Sequence, residues 1–146
     1  RFWRFFSDSI IEWKQDRLTL AFAYDIGTEE AAEQAGHPRT FWTAAAFYAH
    51  WEVSGPWSVA VRPEVYWDRN GRISGSEQVL RAVTTTLEYR IRAAPQSLVA
   101  RLEYRDDEST GAGGGFFRSG EIAPGIIGLA KEQQLILCSL IWAFDR

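Results

Sequence analysis

Three features of the 146-residue sequence predict an all-β fold, an antiparallel up-and-down transmembrane β-barrel. The last apolar segment, residues 134–144, puts Ile136, Cys138, Leu140, Trp142 and Phe144 on one face at the two-residue period of a strand. Connections alternate: short turns fall near 14–17, 54–56 and 92–96, long polar stretches near 25–39, 68–78 and 106–133. Composition is the third feature: 14% aromatic residues with 7 Trp, 24% charged, and a mean hydropathy of −0.24. That balance suits strands apolar on one face only, and no run approaches the about 20 apolar residues of a transmembrane helix. In water the face of 134–144 would invite aggregation; in lipid it is the ordinary outside of a barrel.

About seven strands follow from the pattern: one before Trp13, then 17–25, 40–53, 57–68, 79–91, 97–106 and 134–144. The first lies between Phe2 and Trp13, its register blurred by Arg4, Asp8 and Ser9, with Lys14-Gln15-Asp16 as the turn. In the second, Leu18, Leu20, Phe22 and Tyr24 oppose Thr19, Ala21, Ala23 and Asp25. Thr28–Gln34, with Glu29, Glu30 and Glu33 among alanines, is expected to form a short helical turn in its loop. In the third, Phe41, Thr43, Ala45, Phe47, Ala49, Trp51 and Val53 oppose Trp42, Ala44, Ala46, Tyr48, His50 and Glu52. Ser54-Gly55-Pro56 closes a hairpin onto 57–68, where Trp57, Val59, Val61, Val65 and Trp67 form the apolar face. Pro63 lacks a ladder donor and predicts a bulge there.

After the polar connection from Asp68 to Gln78, Val83, Thr85, Leu87, Tyr89 and Ile91 oppose Ala82, Thr84, Thr86, Glu88 and Arg90. A turn over Arg92–Gln96 leads to Leu98, Ala100, Leu102 and Tyr104, opposite Ser97, Val99, Arg101, Glu103 and Arg105. The 106–133 stretch, with glycines at 111 and 113–115 followed by Phe116-Phe117, is too long for a plain connection. It is read as a long external or inward-folded loop, either a constriction or a docking element.

The net charge of −3 gives no basic patch for nucleic acid. Cys138 is the only cysteine, which excludes an intrachain disulfide and zinc or redox spacing. The chain has neither a Met nor a signal peptide. With seven strands and Phe144 at the periplasmic side, the first strand descends from outside, whereas single-chain bacterial barrels have even strand numbers. The expectation is therefore a single barrel domain over 1–146 that is the C-terminal part of a longer barrel, lacking its N-terminal portion, or one subunit of a barrel shared between chains. Residue 1 should stand opposite residue 146, with an unpaired or foreign-paired edge at the first strand.

Four segments carry a resemblance: Phe41–Tyr48, the run Ala60-Val61-Arg62-Pro63-Glu64-Val65-Tyr66-Trp67-Asp68, Thr86-Leu87-Glu88-Tyr89-Arg90, and Val99-Ala100-Arg101-Leu102-Glu103-Tyr104-Arg105. Over roughly residues 10–144 the chain resembles the OmpL-like porin-2 family of outer-membrane β-barrel porins, with similar R-x-E-Y-x-x-D, T-L-E-Y-R and R-L-E-Y-R segments before a terminal aromatic strand. Val65 stands where the first segment would have Tyr, and Asp145-Arg146 extend past Phe144. The resemblance implies a barrel in a Gram-negative-type outer membrane and no particular solute.

The inward faces gather both charge signs, and the candidate lining is His50, Glu52, Arg62, Glu64, Asp68, Glu88, Arg90, Arg101, Glu103 and Arg105. Such residues either stiffen the interior as a cross-strand ion-pair ladder or set ion preference as a pore lining, and the two are compatible. Trp51, Trp57, Trp67, Tyr89, Tyr104, Trp142 and Phe144 are the candidate lipid-facing girdle; Trp3, Trp13 and Trp42 also fall near strand ends. Glu52, Glu64, Glu88 and Glu103 each have an Arg nearby, which favours ionised carboxylates over a raised-pKa acid. His37 and His50 are isolated, and Asp68-Arg69-Asn70-Gly71 lacks the later ligands of a calcium loop. No enzyme, metal or cofactor is implied. The reading is passive diffusion of small polar solutes or ions through a barrel in outer-membrane lipid. Its rivals are a non-conducting barrel docking a partner through its loops, and a soluble lipocalin-like barrel with apolar residues inside.

Overall fold

The computed structural model describes residues 3–31, 34–93 and 96–144. It contains β1 (Arg4–Gln15), β2 (Leu18–Glu30), β3 (Arg39–Ser54), β4 (Trp57–Asp68), β5 (Gln78–Ala93), β6 (Gln96–Ser109), β7 (Phe116–Ala123), β8 (Ile126–Ala130) and β9 (Glu132–Phe144). Seven strands form one antiparallel sheet in the order β1-β2-β3-β4-β5-β6-β9, while among the described residues β7 and β8 pair only with each other. The fold is all-β, as the periodicity predicts.

Each hairpin turn has a local cause. Gly55 (φ 56°) takes the left-handed first position of a two-residue turn, and Pro56 fixes the second. Asp16 (φ 50°) does the same between β1 and β2, where a short polar side chain tolerates that conformation. Ala94 and Pro95 of the third turn lie outside the described residues, but Ala93 pairs with Gln96. These turns share one rim. The connections 31–38, 69–77 and 110–131 share the other.

Several strands outrun their sequence-based limits. β2 continues to Glu30, because Ile26, Gly27 and Thr28 pair with Thr43, Trp42 and Phe41 of β3. The helical turn expected over Thr28–Gln34 is therefore strand at Thr28–Glu30; Ala32 and Glu33 lie outside the described residues. Pairing on both sides outweighs the weak helical preference of Glu and Ala. Likewise 106–109 belongs to β6 and 132–133 to β9, and the 106–133 stretch carries the β7–β8 hairpin rather than a strandless loop. Pro63 makes no bulge: it pairs with Val83, and Ala46↔Glu64 and Ala49↔Val61 keep one register on either side. The missing donor is absorbed as a lapse in the ladder at Phe47 and Tyr48, and the register shift sits at Glu52–Ser54 beside the turn.

Among the described residues β1 is hydrogen-bonded only to β2 and β9 only to β6, so the sheet is open. Arg4 pairs with Glu29 and Gln15 with Leu18, while Glu132 pairs with Glu108 and Phe144 with Gln96. Both edge strands thus run from the long-loop rim to the short-turn rim. A direct β1–β9 pairing would be parallel in an otherwise antiparallel sheet.

The two faces are opposites. Directly paired residues share a face, which places Trp51, Trp57, Val61, Val65, Trp67, Leu87, Tyr89, Leu102, Tyr104, Leu140 and Trp142 outside, all exposed. The buried positions Trp42, Ala60, Ala82, Thr84, Glu88 and Asp107 lie on the inner face. From β2 to β6 large apolar residues face outward and mostly small or polar ones inward, the reverse of a water-soluble core and of a lipocalin-like interior alike.

Candidate functional site

The inner face holds three groups of charge, and in the first two a side chain reaches past a small residue to the strand beyond its neighbour. Strands lie about 4.8 Å apart, so side chains two strands apart meet only if both are long and the one between is short.

Nearest the short turns, Glu88 of β5 is 7% exposed and accepts from Arg101 of β6, whose Nε–H and Nη2–H donate to Oε1 at 2.8 and 2.5 Å. His50 of β3 brings Nε2 to 3.5 Å from the other Glu88 oxygen, crossing β4 where Ser58 and Ala60 are buried. The His50 ring is stacked on Tyr48 at 6.3 Å and 6°. Arg101 also reaches Glu103 at 3.8 Å, and the Thr86 hydroxyl donates to the same Glu103 oxygen at 3.3 Å.

In mid-sheet, Arg105 of β6 crosses Ala82 of β5 to donate from Nη1 to Glu64 Oε2 of β4 at 2.7 Å. Its Nε–H donates to Asp107 Oδ1 at 2.8 Å, and Arg62 Nε lies 3.1 Å from Glu64 Oε2. Two carboxylates are matched by two guanidinium groups.

The third group stands at the long-loop rim. Glu29 of β2 is held by Arg4 of β1 and by Arg72 from the 69–77 loop, and Arg4 lies 5.9 Å over the Trp42 ring. Gly27 makes room: a Cβ there would meet Trp42 at 2.0 Å. Trp42 is therefore an inner-face core residue, 7% exposed, and not part of a girdle. Glu29 lies past Ile26, the last large apolar residue on the outer side of β2. Hydrogen bonds from Arg4 and Arg72 hold its carboxyl below the usual carboxylate range.

Beyond Trp67, Asp68 is fully buried and organises the loop that follows. Its carboxylate accepts the N–H groups of Arg72, Ile73 and Ser74 at 2.9, 2.8 and 2.7 Å and the Ser74 hydroxyl at 2.9 Å. Burial pushes the acid up, but these four donors outweigh it and leave its pKa lowered. Asn70 accepts from the Phe41 N–H at 2.9 Å. Both side chains are thus committed to the turn, as the missing calcium-loop ligands suggested.

Of the candidate lining, His50, Glu64, Glu88, Arg101, Glu103 and Arg105 fall into the two inner groups, with Arg62 at the margin of the second. Glu52 and Arg90 stand exposed beside Gly55 at the short-turn rim and join neither. Asp107 and Glu29 complete groups, yet fell in stretches read as loops. Continuing Arg101, Glu103, Arg105 by two reaches Asp107, and continuing Asp25, Gly27 by two reaches Glu29. The candidate girdle splits by rim. Trp51, Trp57, Tyr89 and Trp142 lie toward the short turns, Trp57 and Tyr89 with rings 4.7 Å apart. Trp67, with Phe41 edge-on at 6.3 Å, and Tyr104 lie toward the long loops. The Phe144 side chain lies outside the described residues. Past Tyr104 and Val83 the outer face turns polar with Arg81, Asp106 and Glu108. Strands of 12 to 16 residues exceed the about 9–11 that cross a bilayer, so such ends project.

Comparison with known families gives one finding. A family model described as "Putative beta-barrel porin-2, OmpL-like" matches residues 1–144, more of the N-terminal end than the four quoted segments covered. No curated protein and no solved structure matches the chain.

Proposed function

The chain belongs to this OmpL-like family of β-barrel porins, and from that premise we propose that it passes small polar solutes or ions passively across a bacterial outer membrane. One observation supports this most directly: the same strands that expose Val61, Leu87 and Leu102 outward carry paired charges of both signs inward. An apolar exterior suits lipid, and a wall of ionised side chains suits water and sets the preference among passing ions. The wall is not catalytic in this reading, since Glu64, Glu88 and Glu103 are each ion-paired with an arginine, at 3.1, 2.5 and 3.8 Å.

Single-channel recording in a planar bilayer tests the proposal. The expected outcome is discrete current steps that scale with salt. Neutralising Arg62, Arg90, Arg101 and Arg105 should shift the reversal potential in a salt gradient toward cations, because the carboxylates then dominate the wall. Absence of steps from correctly folded protein would remove the conducting role and favour docking through the long loops. An unchanged reversal potential would leave the charges as a structural ladder.

A further inference from the structure

The connection from β6 to β7 is wrapped around one side chain. Gln78, at the start of β5, is 6% exposed, and its Oε1 accepts from the Ser109 hydroxyl at 2.8 Å and from the Gly115 N–H at 3.1 Å. The Thr110 N–H donates to the Val79 carbonyl at 3.0 Å, and the Ser76 hydroxyl donates to the Gly113 carbonyl at 2.8 Å. Glycines make the fit possible, since a Cβ at Gly111 or Gly114 would collide with Gln78. Gly115, at φ 134°, lies between Gln78 and the Ala130 carbonyl, in a conformation that other residues avoid.

This clasp fixes where β7 begins and therefore where Phe116 is placed. Phe116 pairs with Ala130 of β8 and is half-buried, whereas Phe117 on the opposite side of β7 is 84% exposed. The Phe116 side chain forms a wall of an inner-face cavity of about 320 Å³ at the long-loop rim. Alanines of four adjacent strands, Ala46 among them, make the floor, with Asp25, Glu64 and Arg105 alongside. Among the described residues lining the cavity, Phe116 alone does not belong to the seven-stranded sheet. Alanine side chains project little, so the open width above this floor is set from the Phe116 side.

We propose that Phe116 is a size-determining residue of the solute path and that Gln78 is the positioning residue that holds it there. Compact solutes reach the alanine floor and the Glu64–Arg105 pair, and bulky ones are turned back. The proposal rests on reading the inner face as a solute path, but its test needs no current, so a failed conductance experiment and a failed labelling experiment are separate results. In a Cys138→Ser background, Ala46→Cys marks the floor, and Ser139→Cys marks the inner face outside the cavity. Each thiol is labelled in the folded protein in nanodiscs with methyl methanethiosulfonate, which is compact, and with a bulky biotin-bearing methanethiosulfonate. Phe116→Ala should speed the bulky reagent at position 46 about tenfold and the compact one less than about twofold, with position 139 unchanged. Gln78→Met fills the glycine cradle but has no oxygen acceptor, and should speed the bulky reagent about threefold. Gln78→Glu, whose carboxylate accepts the same two hydrogen bonds, should restore the parent rate. Far-UV circular dichroism monitors the fold, and Phe116→Ala keeps the test open if a Gln78 variant does not fold. Parent-like labelling by the bulky reagent in folded Phe116→Ala, equal acceleration of both reagents, or equal acceleration at position 139 would each overturn the proposal. Parent-like labelling in folded Gln78→Met would overturn the positioning role.

Discussion

β6 and β9 are hydrogen-bonded from Gln96↔Phe144 to Glu108↔Glu132, yet they obey different rules. On its inner side β6 carries Val99, Arg101, Glu103, Arg105 and Asp107, with partners on β5 and β4 or on β6 itself. The paired inner positions of β9 are Ile141, Ser139, Leu137, Leu135 and Gln133, which offer those charges no opposite charge. Arg101 and Arg105 consequently turn back across the sheet, and the ion-paired wall ends at β6. Outward, the two strands agree, with Leu98, Ala100, Leu102 and Tyr104 opposite Trp142, Leu140, Cys138 and Ile136. The lesson is that an outer face needs only to be apolar, whereas an inner face needs each charge to find its complement.

The most disruptive way to probe this contrast is an arginine on each strand. Leu102→Arg, outward on β6, should lose about 2–4 kcal/mol in urea unfolding from phospholipid vesicles. Leu137→Arg, inward on β9 and directly opposite Glu103, should cost under about 1 kcal/mol, since an opposite charge faces it. Equal losses would mean that the inner side of β9 is sealed from water.

Removing a partner from the wall comes next. Arg101→Leu strands Glu88 with only His50 nearby and should cost about 2 kcal/mol, discounted because Arg101 is one-third exposed. Ser139→Leu, opposite Arg101 on β9, should be nearly neutral by the same measurement.

Ala82→Leu sharpens the claim that small residues make the wall possible. It overpacks the bridge between Arg105 and Glu64 and should cost about 1–3 kcal/mol. Adding Arg105→Leu should then cost much less than it does alone, because the pair is already broken.

The smallest expected effect is local. The lowered pKa of Asp68 means that its share of loop stability is complete above the ordinary carboxylate range and is lost as pH falls through the lowered value. Hydrogen exchange at the Ser74 amide should accelerate on the order of fivefold below about pH 4, relative to β4 amides. In Asp68→Asn the acceleration should be absent.

The sequence by itself determined the seven strands of the main sheet and, from β2 onward, their two faces and the side of each turn, because a period of two is written in those segments and Gly55-Pro56 admits little but a tight turn. It did not determine where strands end. Thr28–Glu30 and 106–109 look like loop or helix alone, and only neighbours on either side hold them extended, which is why Glu29 and Asp107 escaped notice. Nor could it decide which charges meet. His50 with Glu88 and Arg105 with Glu64 lie 38 and 41 positions apart and two strands apart, joined over Ser58, Ala60 and Ala82. Trp42 reads as one more aromatic near a strand end until Gly27 and Arg4 are seen to enclose it. Periodicity is a property of one strand. Pairing across a small residue depends on the order and register of three, and only the assembled sheet sets those.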